Sequence, residues 1–537
     1  MRRESSNNEY TQPQKREAGK GLADARHGNS VDAAMRGHWR DTASRPFTKA
    51  QRSSTTIWMT GFTTNHDAFF CAAARGLGYN MEALPVPDNQ ALNIGKEYGN
   101  RGQCNPTYYT VGNLVRALRD LEARGHTRES LIQNFVFLTA GACGPCRFGM
   151  YATEYRKALR EAGYEGFRIE QLFPAGLVDG SNAPAGGIEF DRPLVMASSK
   201  GLLSADILNL LGNRIRPYEI EKGATNSAME NCRLLVIDAL ENGRPVKPAL
   251  RKCRELLGAV AVDRLQPKPM VSIIGEIWAM TTEGDGNYRL FSFLEKEGAE
   301  ISTQPLYTLL LFLLWEQKHD LELRRHLRGE DRARRGLAGT NPWKKMAVLR
   351  GLEQIIKSTI HSLARAAGLS QLHLPDIENL AALSRKHYDL EVRGGEAFME
   401  VGKFMDIAQN KRAHLVLSIK PFGCLPSSAV SDGVQSLTTA QNPEAAFYAI
   451  ETTGDGQASV HSRVQMMLFK AHQRAQSEFE AALTVAGMSL GEAQQRLARH
   501  RKYGSALYYP RHVVATTGAN LVTDLSAGRL GRLHHVP

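Results

Sequence analysis

Along the first third of the chain the period of the apolar residues switches repeatedly. "TIWMTGF" (56–62) is a short apolar run, "HDAFFCAAARGLGY" (66–79) spaces its apolar residues at helical intervals, and "NMEALPVPD" (80–88) is extended again. Such a switch predicts a strand, loop, helix, strand unit. The grammar returns in "NFVFLTAGACGPCRFGMYATEYRKALREAGYEGFRIEQLF", with a buried strand at Phe135–Leu138 and an amphipathic helix from about Phe148 to Ala162. Two further copies are "KPMVSIIGEIW", leading to a helix around Tyr288 to Glu297, and "AAFYAIETTGDGQASVHSRVQMMLFKAHQRA".

Strands alternating with helices at this spacing imply parallel sheets covered on both faces. The expected fold is therefore α/β, with two Rossmann-like parallel-sheet lobes at 55–215 and 268–475. A helical connector is expected at 216–267, a helical insertion within the second lobe at about 305–395, and a C-terminal helix and tail at 476–537. Residues 1–54 are polar, basic and poor in large apolar side chains, so they read as a disordered tail with folded structure starting near Thr56.

Composition adds limits to this picture. A chain of 537 residues is too long for one ordinary core, and 42% hydrophobic with 23% charged residues fits a soluble globular protein. The long greasy stretch "LYTLLLFLLW" (306–315) is about half of a bilayer span and reads as a buried helix. The N-terminal residues lack the apolar run of a secretory signal, so a cytoplasmic location and no membrane are expected. The net charge of +12 is concentrated: residues 1–54 hold 11 Lys or Arg against 6 Asp or Glu, and residues 316–350 hold 10 against 5. Neither patch carries interleaved aromatics or a reading motif, so a solvated surface is expected rather than a nucleic-acid partner.

Seven cysteines scattered over this length do not make a disulfide framework. Cys71, Cys232 and Cys253 sit in apolar helical contexts and read as packing residues. Four others fall on loops at expected strand ends or helix starts: Cys104 in "RGQCNPTYYTVGNLVRAL", Cys143 and Cys146 in "GACGPCRFG", and Cys424 in "IKPFGCLPSSAVSDGVQS". Cys104, Cys143 and Cys424 each have proline two positions on, which stiffens the turn presenting the sulfur. Nearby glycines let the backbone approach a bulky inorganic group, and thiols at helix N-termini are easily deprotonated. Four cysteines on three such loops suit an iron-sulfur cluster; a four-ligand zinc site and a thioredoxin-like dithiol at Cys143-Gly144-Pro145-Cys146 are the alternatives. Against the dithiol, Ala142 rather than an aromatic residue precedes Cys143.

The segments "ACGPCRFGMY", "QCNPTYYTVGNLV", "IKPFGCLPSSAVSDGVQS" and "AIETTGDGQASVHSRVQM" together resemble the 2-hydroxyacyl-CoA dehydratase family, above all the part fused in very long chains to the ATPase activators of those dehydratases. The likeness runs from about residue 56 to 475. It implies two Rossmann-like lobes holding a 4Fe-4S cluster, either a single cubane with an open iron or a sulfide-bridged double cubane. In the family, an ATP-hydrolysing activator supplies low-potential electrons. Dehydratase members then reduce an acyl-CoA thioester to a ketyl radical that expels the hydroxyl group, while double-cubane relatives reduce small molecules. Carried onto this chain, the resemblance makes Cys104, Cys143 and Cys424 the cluster ligands and Cys146 a fourth ligand or close neighbour. It also implies an oxygen-sensitive protein with a separate activator, an acyl-CoA or other small-molecule substrate, and allows a dimer. A non-catalytic electron carrier or regulatory partner of the activator is the alternative from another class. No Walker-type phosphate loop is present, and Gly454-Asp455-Gly456, the stretch Ser431 to Ser436 and Arg147 are lesser candidates for groups facing the cluster or substrate.

Overall fold

A computed structural model describes residues 45–141, 146–172, 187–334, 341–369, 371–391, 397–428 and 432–533. Its two sheets are four-stranded and wholly parallel. The first contains β1 (Thr56–Met59), β2 (Met81–Ala83), β3 (Phe135–Ala140) and β4 (Arg168–Leu172) in the order β2-β1-β3-β4. The second contains β5 (Met270–Gly275), β6 (Glu300–Ser302), β7 (Leu415–Pro421) and β8 (Ala446–Thr452) in the order β6-β5-β7-β8. The α/β class with two parallel sheets is therefore as the sequence pattern predicts.

Both sheets have one plan: from the first strand the chain moves to one side, then crosses back to build outward on the other. Ile57 pairs in register with Met81 on one flank and Val136 on the other; Val271 pairs with Ile301 and Leu415 in the same way. The reversal opens a crevice at the carboxyl ends of β1 and β3, and of β5 and β7, where parallel sheets take their ligands. The central strands are buried on both faces, β5 and β7 along their whole length. That explains why they read as continuous apolar runs rather than alternating ones.

The regions expected to be a connector and an insertion share one helical core. Helices Thr64–Arg75, Arg192–Ile215, Ala224–Glu241, Val246–Gly258, Tyr307–Arg324 and Pro342–Ala367 contribute Phe69, Leu208, Cys232, Leu250, Phe312 and Ile360 to a single buried cluster. By length and composition alone, Arg192 to Tyr218 would suffice to cross a membrane. In this fold its Leu203, Ile207, Leu208 and Leu211 line that cluster instead.

Two boundaries look different in space. Residues 45–54, read as the end of the tail, are packed: Phe47 is fully buried with Ile57, Met81 and Val136, and the Arg168 guanidinium lies 5.5 Å from its ring centre. One large side chain in a polar segment is enough to anchor it, a signal that average composition dilutes. At the other end, the helix Gln457–Ala486 runs through position 475, so the second lobe and the C-terminal region share a continuous element.

Candidate functional site

Cys104 caps the N-terminus of the helix Asn105–Ala123, with Pro106 in its first turn and an extended backbone at the cysteine. Proline there lacks a donor that the first turn cannot use, and its fixed φ starts the helix at the cysteine. The thiol is buried at 7% exposure, with Thr107 Oγ1 at 3.2 Å and Tyr151 Oη at 3.3 Å from its sulfur. Burial, followed by the charge of a Cys104 thiolate, pushes the Tyr151 phenol well above its ordinary range. Tyr151 therefore keeps its proton and can donate it to the sulfur.

Tyr151 starts the helix Tyr151–Glu161, directly after the short helical turn Arg147–Met150 that Cys146 caps. The same segment holds the loop before Cys104. Buried Glu154 accepts from Asn100 N (3.1 Å), Asn100 Nδ2 (2.7 Å) and Gln103 Nε2 (3.0 Å). Arg147 Nη1 donates to the Gly102 carbonyl. Tyr108 Oη closes the loop, accepting from Gln103 N and donating to Asn100 O.

Cys424 comes from the other lobe. It follows β7 through the turn Phe422-Gly423 and is buried at 5% exposure. Asn105 N donates to Phe422 O at 3.0 Å, and Asn105 Nδ2 donates to Thr452 O at 2.6 Å. Gly423 has φ +76°, and a methyl group there would stand 2.9 Å from Gln103 O and 3.2 Å from Cys104 Cα. Glycine is thus required twice over, for its left-handed backbone and for the close approach of the two loops. The backbones bearing Cys104 and Cys424 meet at the junction of the lobes, and the Cys146 segment is tied to the Cys104 loop.

The second lobe adds charge. Lys420, the penultimate residue of β7, is almost fully buried and ion-paired with Asp432. Burial lowers its ammonium pKa, while Glu400, Cys424 and Glu451 pull the other way. A buried cation beside Cys424 is suited to offset the negative charge of thiolates. Glu276, which caps the short helix after β5 by accepting from Trp278 N and Ala279 N, is near enough to Tyr151 to raise its pKa further.

Of the four cysteines read as ligands, Cys104, Cys146 and Cys424 lie on loops that this packing links; Cys143 lies outside the described residues. Among the described residues, no group of three or more Cys, His, Asp or Glu is arranged to hold a metal ion. The remaining cysteines are core residues. Cys71 is buried in an apolar helix, where desolvation raises its thiol pKa. Cys232 and Cys253 face each other across two helices, each sulfur 3.8 Å from the other's carbonyl oxygen. Of the lesser candidates, Arg147 reaches the Cys104 loop, Gly454 and Gly456 lie near Tyr109 and Tyr288 respectively, and Ser431 lies outside the described residues.

Sequence reasoning missed Thr107, Tyr151, Glu154, Asn105 and Lys420. Thr107 had a readable signal, since a residue three positions beyond a helix cap faces back toward it. Tyr151 and Glu154 had none, because their partners lie about fifty positions away. A scan against models of protein families and a search of curated proteins return no match to this chain.

Proposed function

We propose that this chain is an iron-sulfur protein of the 2-hydroxyacyl-CoA dehydratase type. It takes low-potential electrons from a separate ATP-hydrolysing activator and uses them to reduce or dehydrate an acyl-CoA or another small molecule. The observation that carries this reading is the junction at which the Cys104 and Cys424 loops meet backbone to backbone, at the carboxyl ends of two parallel sheets, with the Cys146 segment fastened alongside.

The residues present suit such a group: buried thiols from both lobes, a glycine where the loops abut, two hydroxyls beside one sulfur and a buried lysine near another. Cys104, Cys143 and Cys424 would hold a 4Fe-4S cluster, with Cys146 as fourth ligand or neighbour. When bound, the cluster supplies one-electron transfer at low potential. The chain's own groups orient and insulate it. With Cys104 ligated as a thiolate, Thr107 and Tyr151 would donate to its sulfur, while Glu154 fixes the loop that carries it and Lys420 would offset charge on the Cys424 side.

Anaerobic purification followed by iron and acid-labile sulfide analysis and electron paramagnetic resonance tests the proposal. About four irons per chain are expected for one cubane and about eight for a double cubane; none in anaerobically reconstituted protein rejects it. Cys424→Ser is expected to lose most of the iron, whereas a dithiol confined to Cys143 and Cys146 would be indifferent to that change.

A further inference from the structure

A cavity of ≈ 420 Å³ lies apart from the cysteine loops, with walls from both lobes and from the helical layer between them. It opens where β1 and β6 end: Thr63 to His66 follow β1, Thr303 to Leu306 follow β6, and the helices Arg192–Ile215 and Ala224–Glu241 supply the third wall. Its size is within the range of about 300–1,000 Å³ common for small-molecule sites.

The three arginines lining it are each paired with a carboxylate of the chain, and its other carboxylates are held by hydrogen bonds. Arg216 pairs with Glu295 at 2.7 Å, Arg233 binds Glu230 through Nε and Nη2, and Arg289 pairs with Asp285 at 2.8 Å. Glu283 accepts from Thr64 N and Thr64 Oγ1. Asp206 accepts from Leu306 N (2.6 Å) and Tyr307 N (2.7 Å) and contacts His66 Nε2 at 3.1 Å. A phosphate or carboxylate entering here would meet arginines whose charge a neighbouring carboxylate already offsets, and would lie close to Glu230, Glu283 and Glu295.

Neutral hydrogen-bonding groups remain in excess. Five asparagines line the cavity: Asn65, Asn209, Asn213, Asn226 and Asn287. Each amide offers one acceptor and two donors, and the internal bonds use only part of that capacity. Asn65 spends its Nδ2 on Asn209 Oδ1, Asn209 one Nδ2 proton on Thr63 Oγ1, Asn213 one on Thr303 Oγ1, and Asn226 its Oδ1 on Arg216, which leaves the Oδ1 atoms of Asn65 and Asn213 and the Nδ2 of Asn226 to a ligand. Asn287 is 1% exposed; its Nδ2 serves two backbone carbonyls and its Oδ1 is buried without a hydrogen-bond partner. Phe291 adds an aromatic wall. Paired charges, spare amides and one aromatic face match the needs of vicinal hydroxyls on a saturated ring.

We infer that this cavity binds a small neutral polyhydroxylated molecule, of the size and chemistry of a monosaccharide or cyclitol, whose occupancy braces the two lobes. The inference does not depend on the cysteine site. Isothermal titration of the full chain with D-glucose, D-xylose and myo-inositol, and with glucose 6-phosphate as the anionic control, tests it. At least one neutral probe is expected to bind one-to-one at millimolar affinity or better, with glucose 6-phosphate no tighter than glucose. Asn213→Leu, and the more exposed Asn226→Leu as a change the fold tolerates, are each expected to weaken binding at least tenfold. No binding of any neutral probe, tighter binding of glucose 6-phosphate, or unchanged affinity in both variants would overturn it.

Discussion

Asp67 shows how a single buried group sets a pH dependence. Its carboxylate accepts from Phe62 N at 3.1 Å, yet burial dominates and raises its pKa to about 6, from an ordinary 3.8. Between those values the folded chain binds a proton that the unfolded chain has released, so stability falls as pH rises from about 4 to 6 and then levels off. A shift of this size corresponds to roughly 3 kcal/mol. Asp67→Asn keeps an acceptor for Phe62 and removes the charge. Urea unfolding should show the variant more stable than the parent at pH 7.5 by about 1–3 kcal/mol, with little or no gain at pH 4. Tyr151→Phe probes the cysteine site with equal economy. It deletes one hydroxyl beside the Cys104 sulfur and leaves Thr107 in place. On the cluster reading, iron content should hold while the reduction potential becomes more negative in a titration followed by electron paramagnetic resonance, because a donor to sulfur favours the more reduced, more negative cluster.

Among the elements, the turn after β7 links fold to site most directly. Gly423 and Gly102 both have left-handed backbones, at φ +76° and +79°, but only Gly423 has another loop within reach of an added methyl group. Gly102→Ala should therefore cost only the conformational penalty of about 1–2 kcal/mol. Gly423→Ala should cost clearly more, because the Cys104 loop must also move; comparing the two thermal midpoints checks this. The strands themselves were plain in the sequence. β1, β3, β5 and β7 are short, two-sided apolar runs, and a buried parallel strand has little choice but to look that way. The loops bearing Cys146 and Cys424 were legible too, through cysteine and glycine at the ends of those runs; Cys104 was legible by the proline that starts its helix, although its loop joins the helices Asn89–Tyr98 and Asn105–Ala123 and follows no strand. The clasp between them was not. Glu154 to Asn100, Arg147 to Gly102 and Asn105 to Thr452 each join residues 45 to 347 positions apart, and no local periodicity encodes such partners. For the same reason, the connector and insertion read as separate helical regions when they share one core.

Across the whole molecule, the C-terminal region closes buried charges that the second lobe and the helical connector leave open. Glu300, at 1% exposure on β6, accepts from Tyr218 Oη (2.8 Å), Tyr509 Oη (3.1 Å) and Thr517 Oγ1 (2.5 Å). Arg264, at 2% exposure, donates to the carbonyls of Ser505 and Ala506 as well as to that of Arg214. His414 meets Glu478 and Thr516 in the same way. A buried charge stripped of its partners costs far more than the paired arrangement gains, so this region is bound by the penalty of leaving as well as by its own apolar contacts. Thr517→Val removes one hydroxyl donor from Glu300 with almost no change of shape. It should lower stability by about 1.5–3 kcal/mol, the range for hydrogen bonds to charged groups. Glu300→Gln in the Thr517→Val background gives the second half of the cycle. If the carboxylate is what makes the hydroxyl valuable, the Thr517→Val penalty should shrink by half or more once residue 300 is neutral. An unchanged penalty in urea unfolding would assign the effect to packing of the C-terminal helix alone.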